Sequence, residues 1–118
     1  MTGFITHNEE KVSGKGTAFV AYLETSMGNL VKTFGEPFEG DGYKTRHEWA
    51  IRFKDGTIAT IYDWRSTSSF CPDEGNVVWH IGGKSIEASL KVEEVLKEAA
   101  DPDWSRLGAS DAFHGFNE

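Results

Sequence analysis

The segment 79–85, WHIGGKS, holds the residues whose chemistry is easiest to state. It ends like a phosphate-binding loop, but the full motif Gly-x-x-x-x-Gly-Lys-Ser requires a glycine where the chain has Val78. A strand that ends at Gly82-Gly83 and leads into a helix still offers unpaired backbone N–H groups and a favourable dipole, with Lys84 beside them. The segment therefore predicts either an anion site or a chain turn whose serine caps the helix.

His80 suggests a second candidate site, a polar pocket on one face of the predicted sheet. It alternates with its two apolar neighbours along a strand, so its side chain points away from the face that they bury. If that face also carries Arg52, Glu48 and Asp63, a histidine, an arginine and two carboxylates gather there, and the two carboxylates could act as general acid and base. The register of the strands decides this. The simpler interpretation is a hydrogen-bonded surface histidine.

Familiar catalytic and metal-binding motifs are absent from the sequence, which contains no Gly-x-Ser-x-Gly, His-Glu-x-x-His, Cys-x-x-Cys or Gly-x-Gly-x-x-Gly. The four histidines, His7, His47, His80 and His114, lie in separate segments, so no metal site is predicted. Cys71 is the only cysteine, which excludes an internal disulfide and fits a reducing compartment. We predict no cofactor and favour a binding protein over an enzyme.

The net charge argues against nucleic acid as a partner. Twelve Lys and Arg against nineteen Asp and Glu give a formal charge of -7, whereas a nucleic-acid-binding surface needs net positive charge. Because the acidic residues are spread along the chain, they indicate ordinary solubility, with an acidic face that mimics nucleic acid as the alternative. The start MTGFITHNEEK lacks the pattern of a signal peptide and no apolar run could span a membrane, so we expect a soluble, cytoplasmic protein.

Periodicity predicts the elements that must position these residues. Residues 1–14 are polar and should form a loose arm or an edge strand. Residues 16–24, GTAFVAYLE, are apolar on both faces and indicate an inner strand. Thr25 or Ser26 can then cap a short helix that ends at Gly35.

The clearest pattern is a hairpin over residues 47–64, where two alternating runs are joined by Asp55-Gly56. This pair favours a two-residue type I′ turn, because both positions need positive φ. With that turn, the core face would pair Phe53 with Ile58, Ile51 with Thr60, Trp49 with Tyr62 and His47 with Trp64. The opposite face would pair Lys54 with Thr57, Arg52 with Ala59, Ala50 with Ile61 and Glu48 with Asp63.

The remaining pattern completes an α+β fold. Residues 77–83 indicate another strand and residues 85–101 a helix. The apolar stripe of this helix consists of Ala88, Val92, Val95, Leu96 and Ala99. The order β-α-β-β-β-α predicts a mostly antiparallel sheet of about four strands with two helices. We assign residues 1–100 to a single α+β domain and residues 101–118 to a C-terminal tail that docks by its aromatic side chains, on this protein or on a partner.

Residues 16–96 resemble a group of short uncharacterised bacteriophage proteins. The shared pattern is "GT" before an inner strand, "L..TFG.P", a hairpin "EW.I.F.DGT.ATIYDW" and the segment "WHIGG". The resemblance implies phage origin, expression in an infected bacterium, and a role in host takeover or counter-defence. It carries no catalytic residue.

The resemblance suggests, first, a non-enzymatic sponge that sequesters a nucleotide immune signal made by the host. Such a protein needs an anion site and aromatic surface for a base. The residues that meet these requirements are Tyr62, Trp64, Arg65, His80, Gly82, Gly83 and Lys84. A sponge is often a homo-oligomer, and its basic pocket would then lie at a subunit interface.

Two other classes stay open. An inhibitor would bind a host or defence protein through the acidic surface and the tail, with Trp104, Phe113 and Phe116 as anchors. An enzyme would cleave a nucleotide signal, and its catalysis would depend on Glu48 and Asp63.

Overall fold

The alternating segments of the sequence form one antiparallel sheet. The computed structural model describes residues 3–39, 47–63, 76–99 and 104–108. Its elements are β1 (Phe4–Thr6), β2 (Ala18–Ser26), α1 (Met27–Phe34), β3 (Phe38–Glu39), β4 (His47–Phe53), β5 (Ile58–Tyr62), β6 (Asn76–Gly83), α2 (Glu87–Ala99) and β7 (Ser105–Gly108). The strand order is β1-β4-β5-β6-β2-β7, with β3 also paired to β4, and every pairing is antiparallel. This confirms the predicted α+β class, with the short strands β1, β3 and β7 added to the four that were predicted.

Both helices pack on one face of the sheet. Alternate residues of β2, β4, β5 and β6 point to that face and are fully buried with Leu30 of α1 and Leu96 of α2. The predicted stripe of α2 is buried except for Ala99, which is exposed because it lies at the last residue of the helix. At the centre of the core, the rings of Trp49 and Trp79 meet edge to face with centroids 5.5 Å apart. Such contacts stabilise a core beyond the area that they bury.

The ends of α1 follow the sequence signals. Ser26 is the N-cap, and its Oγ accepts a hydrogen bond from the backbone N–H of Asn29 at 3.1 Å. Gly35 ends the helix with φ of 88°, and its N–H donates to the carbonyl oxygen of Val31. The carbonyl oxygen of Gly35 then accepts the indole N–H of Trp49 at 2.7 Å, which ties this end of α1 to β4.

The hairpin is present, but its predicted register was wrong by one residue. The N–H of Gly56 donates to the carbonyl oxygen of Phe53, and the N–H of Phe53 donates to that of Thr57, so the loop has three residues, 54–56. Within this loop only Gly56 adopts positive φ, at 95°, whereas a type I′ turn would require it of Asp55 as well. The observed partners are Glu48 with Tyr62, Trp49 with Ile61, Ala50 with Thr60, Ile51 with Ala59 and Arg52 with Ile58. None of the predicted pairs between described residues therefore forms, and Ile58, Thr60 and Tyr62 face away from the helices. The predicted pair of His47 with Trp64 lies outside the described residues.

The turn predicts a specific cost for one substitution. Gly56→Ala should lower the free energy of unfolding by about 1–2 kcal/mol, because an L side chain at this φ is strained even though a Cβ would touch nothing within 4 Å. Urea denaturation of the variant measures this. Gly28→Ala, within α1 and with ordinary contacts, is the matched control and should be neutral or stabilising. Equal stability of the two variants would contradict the turn assignment.

The two ends of the described chain extend the sheet. β1 pairs with β4 at an edge, so residues 4–6 adopt the edge strand of the two alternatives predicted for the N-terminal arm. β7, which lies within the segment predicted to be a tail, pairs with β2 at the other edge. β2 therefore lies between β6 and β7, as predicted for an inner strand. In the ranges that the structure describes, neither helix is long and apolar enough to cross a membrane.

Candidate functional site

The face of the sheet turned away from both helices, here called the distal face, carries a row of aromatic side chains. The register places Tyr62 of β5 opposite His80 of β6, and His80 opposite Tyr22 of β2. Their neighbours along the strands, such as Ile61 and Ile81, point to the opposite, buried face, because successive side chains of a strand alternate between faces. The one-residue shift of the hairpin register is what brings Tyr62 to the distal face, since the predicted register would have placed it in the core.

A β-bulge in β2 adds a fourth ring to this row. Phe19 is paired with Gly82 and Ala21 with Ile81, so two residues of β2 oppose one residue of β6. Alternation from the buried Ala21 would turn Phe19 towards the helices. The bulge instead leaves Val20 packed against the core and turns Phe19 to the distal face, where it contacts Tyr22 and His80.

Phe19, Tyr22, Tyr62 and His80 together form the aromatic cluster. The His80 ring stacks on Tyr62 with centroids 5.4 Å apart and an interplanar angle of 23°. It meets Tyr22 edge to face at 5.1 Å and Phe19 at 5.2 Å. Phe19 retains 37% of its surface exposed. The cluster is therefore a partly exposed aromatic platform centred on His80.

Burial sets the charge state of the cluster. It lowers the pKa of His80 to about 4, against a smaller opposing effect of the Asp63 carboxylate, so the imidazole is neutral at pH 7. Burial also raises the pKa of Tyr62 to about 12, and Glu48 and Tyr22 act in the same direction. The platform is thus uncharged near neutral pH, with the Glu48 carboxylate close to Tyr62.

His80 predicts how stability depends on pH. The unfolded chain protonates His80 near pH 6.5, whereas the folded chain does so only near pH 4. Between these values the unfolded state binds the extra proton, so the free energy of unfolding falls as the pH drops from about 6.5 to about 4 and then levels off. Allowing for partial exposure, we expect His80 to account for about 2 kcal/mol of this fall.

Denaturation curves at pH 7 and pH 4.5 test this expectation in wild type and in His80→Gln. The variant has no titrating group at this position and should lose less stability on acidification. An identical loss in both proteins would show that His80 is not the group responsible.

The glycines of WHIGGKS have packing roles in the sheet. Gly82 and Gly83 lie within β6 and are paired with both β2 and β5. A Cβ at Gly82 would lie 2.4 Å from Oγ1 of Thr60 and 3.5 Å from the ring of Tyr62, so this glycine leaves room for two distal-face side chains. A Cβ at Gly83 would lie 2.4 Å from Cβ of Ala88, which shows that the second glycine lets α2 approach the sheet.

The N-terminus of α2 offers fewer N–H groups than the sequence suggested. The N–H of Glu87 donates to Oγ of Ser85 at 3.3 Å, and that of Ala88 to the carbonyl oxygen of Ser85 at 3.2 Å. The N–H of Ser89 is bonded to the carbonyl oxygen of Ile86. These three N–H groups are thus engaged, and Ser85 helps to cap the helix.

A cavity of about 340 Å³ lies beside this helix end, between the hairpin turn and Lys84. Its lining includes the carboxylate residues Asp55 and Glu87. Asp55 is already bound to Lys91 at 2.9 Å. Two carboxylates beside one lysine make this cavity a poor match for phosphate.

The carboxylates proposed as a general acid and base lie on opposite faces of the sheet. Glu48 is on the distal face, whereas Asp63 is fully buried on the other face. Asp63 accepts the backbone N–H of His47 at 3.1 Å and contacts Nδ1 of the same residue at 2.9 Å. Arg52 does share the distal face with His80, but it forms an ion pair with Glu10 at 3.3 Å. The structure therefore does not form the predicted polar pocket.

The structure thus brings together part of the predicted site. Tyr62, His80 and Gly82 lie on the distal face, and Lys84 follows the end of β6. Trp104 is half-buried and packs against the core. Cys71 and four residues named as candidates, Trp64, Arg65, Phe113 and Phe116, lie outside the described residues. No protein-family model, curated protein or solved structure matches the chain.

Two cluster residues, Phe19 and Tyr22, were missed by the sequence prediction. Both belong to the segment read as an inner strand with two apolar faces, and apolar residues on such a strand are normally core.

Proposed function

We propose that this protein binds a small nucleotide ligand without catalysis, with the base held on the aromatic cluster. The observation that carries the proposal is the stacking platform of Tyr62 and His80 with Tyr22 and Phe19 around it. Each base that stacks on an aromatic side chain contributes about 1–3 kcal/mol of binding energy. The neutral state of His80 supports this role, because a flat uncharged surface suits stacking on an uncharged base.

The proposed placement of the phosphates follows from the strand geometry. His80 and Gly83 are three residues apart in β6, which corresponds to about 10 Å, and Lys84 follows. The Cε of Lys84 lies 3.5 Å from the position that a Cβ of Gly16 would occupy, next to the start of β2. A nucleotide with its base on the cluster would extend its phosphates along β2 and β6 to this lysine on the side of β2, outside the cavity that Asp55 and Glu87 line. This span matches a nucleotide di- or triphosphate or a dinucleotide.

In the biological setting implied by the sequence resemblance, the protein would act in the cytoplasm of a phage-infected bacterium. We propose that it sequesters a nucleotide immune signal there, as a counter-defence sponge. Sequestration requires affinity without turnover, and a stacking platform supplies affinity.

Isothermal titration calorimetry against linear and cyclic nucleotides tests the proposal. Phe19→Ala should weaken binding about tenfold or more while leaving the fold intact, because the ring is exposed and stacks on the ligand. Leu90→Ala is the matched control: Leu90 is 40% exposed on α2, on the opposite side of the sheet, and its removal should leave binding unchanged. Absence of binding by any nucleotide would overturn the proposal.

The alternative is an inhibitor that uses the same aromatic cluster as its anchor on a host or defence protein. The exposed Phe19 favours this, since aromatic side chains are common anchors in protein interfaces. Trp104 is less suited to the anchoring role first assigned to it, because it packs against the core. A partner protein that is captured by wild type and by Leu90→Ala, but not by Phe19→Ala, would support the inhibitor.

A further inference from the structure

The row of residues that crosses the distal face contains a carboxylate next to the stacking platform. Glu48 of β4 is the cross-strand partner of Tyr62, which in turn faces His80. Directly opposed side chains on one face of a sheet have Cβ atoms about 5 Å apart. The Glu48 carboxylate is near enough to Tyr62 to contribute to its raised pKa. A base stacked on the exposed part of the Tyr62 ring would therefore have Glu48 at one edge.

We propose that the ligand is a guanine nucleotide, recognised by Glu48 through the edge of the base. This inference rests on the proposed function and specifies its ligand. The Watson–Crick edge of guanine presents two adjacent donors, N1–H and the N2 amino group, and a carboxylate can accept both in a bidentate pair. A carboxylate has about four lone-pair sites, so Glu48 can accept these bonds in addition to those that it makes within the protein.

The other bases match a carboxylate less well. Adenine offers its N6 amino group beside the acceptor N1, and cytosine its N4 amino group beside the acceptor N3, so a second carboxylate oxygen would face a lone pair. Uracil offers one N–H between two carbonyl oxygens. A buried or half-buried acceptor that faces another acceptor loses its water without a replacement bond. Only guanine satisfies both oxygens of Glu48.

Glu48→Gln should abolish the preference for guanine over adenine. A glutamine amide presents one acceptor and one donor, which complement the N6 amino group and N1 of adenine and equally the N1–H and O6 of guanine. Calorimetric titrations with GMP and AMP compare wild type with this variant. We expect wild type to bind GMP about tenfold or more tightly than AMP, and the variant to bind the two with similar affinity.

Two controls separate recognition from charge. Glu24→Gln removes the same charge from the adjacent row of the distal face, where Glu24 of β2 is exposed and paired with Val78, and should keep the preference for GMP. IMP, which lacks the N2 amino group, should bind wild type about tenfold more weakly than GMP. Unchanged melting temperatures would show that both variants are folded.

The outcomes distinguish this inference from the proposed function. Binding of nucleotides with equal affinity for GMP and AMP, or a preference that survives Glu48→Gln, would overturn the role of Glu48 and leave the stacking site intact. Binding of no nucleotide would overturn both. A preference for GMP that is lost in Glu48→Gln and persists in Glu24→Gln would support both.

Discussion

Replacing Gly83 with alanine should lower the free energy of unfolding by about 3 kcal/mol. The new Cβ would lie 2.4 Å from Cβ of Ala88 and 3.2 Å from the carbonyl oxygen of Ser85. Both neighbours are fixed, because Ala88 is buried in the first turn of α2 and the other atom is backbone. Overpacking of this kind costs typically 1–3 kcal/mol, and here α2 would have to move off the sheet.

A double-mutant cycle checks the assigned cause. Ala88→Gly in the Gly83→Ala background should recover part of the lost stability, although glycine at position 88 costs about 1 kcal/mol by itself. Lys84→Ala should leave stability within about 0.5 kcal/mol, since Lys84 is exposed. If Gly83→Ala has the urea midpoint of wild type, the close approach of α2 to β6 is wrong.

Removing the buried carboxylate of Asp63 should have a comparable effect, a loss of about 3 kcal/mol for Asp63→Ala. The side chain is 0% exposed and its two oxygens contact the backbone N–H and the ring Nδ1 of His47. Without them, the N–H of His47 lacks its partner at the end of β4, and the core acquires a cavity. The loss combines both terms, which is why it exceeds that of an ordinary hydrogen bond.

Asp63→Asn and His47→Ala refine this expectation. Asparagine keeps one oxygen that can accept the backbone N–H of His47, so we expect a smaller loss than for alanine. The double variant Asp63→Ala with His47→Ala should be more stable than the sum of the single losses implies, because the two residues share one interaction. Strict additivity of the two losses would show that the pair is not coupled.

Local signals in the sequence predicted the elements well. Ser26 and Gly35 bound α1 because capping depends on a few neighbouring residues. The apolar spacing of α2 and the alternation of β4 and β5 predicted the α+β class, because these patterns also lie within short stretches of the chain. β7 was not predicted, since its four residues have no pattern of their own and pair with β2 only once the sheet exists.

The candidate site was harder to predict because it depends on register. Asp55-Gly56 is compatible with a two-residue or a three-residue loop, and the choice moves Tyr62 from one face of the sheet to the other. His80 was correctly placed opposite the buried face of its strand. The contacts of His80 with Tyr22 and Phe19 depend on the pairing of β2 with β6, two segments roughly sixty residues apart in the chain. No local pattern in the sequence contains that information.

The bulge in β2 uncouples the direction of Phe19 from the register of the rest of the strand. Ala21 and Leu23 keep their buried pairing with β6, whereas Phe19 reaches the distal face only because Val20 is left out of the pairing. Deletion of the codon for Val20 would give a regular strand with Phe19 still opposite Gly82, so Val20 is dispensable for the aromatic cluster. Loss of the bulge with Val20 retained would instead pair Val20 with Gly82 and turn Phe19 towards the helices. A register shift at one position can therefore add this ring to the distal face or remove it, without substitution of any residue in the aromatic cluster.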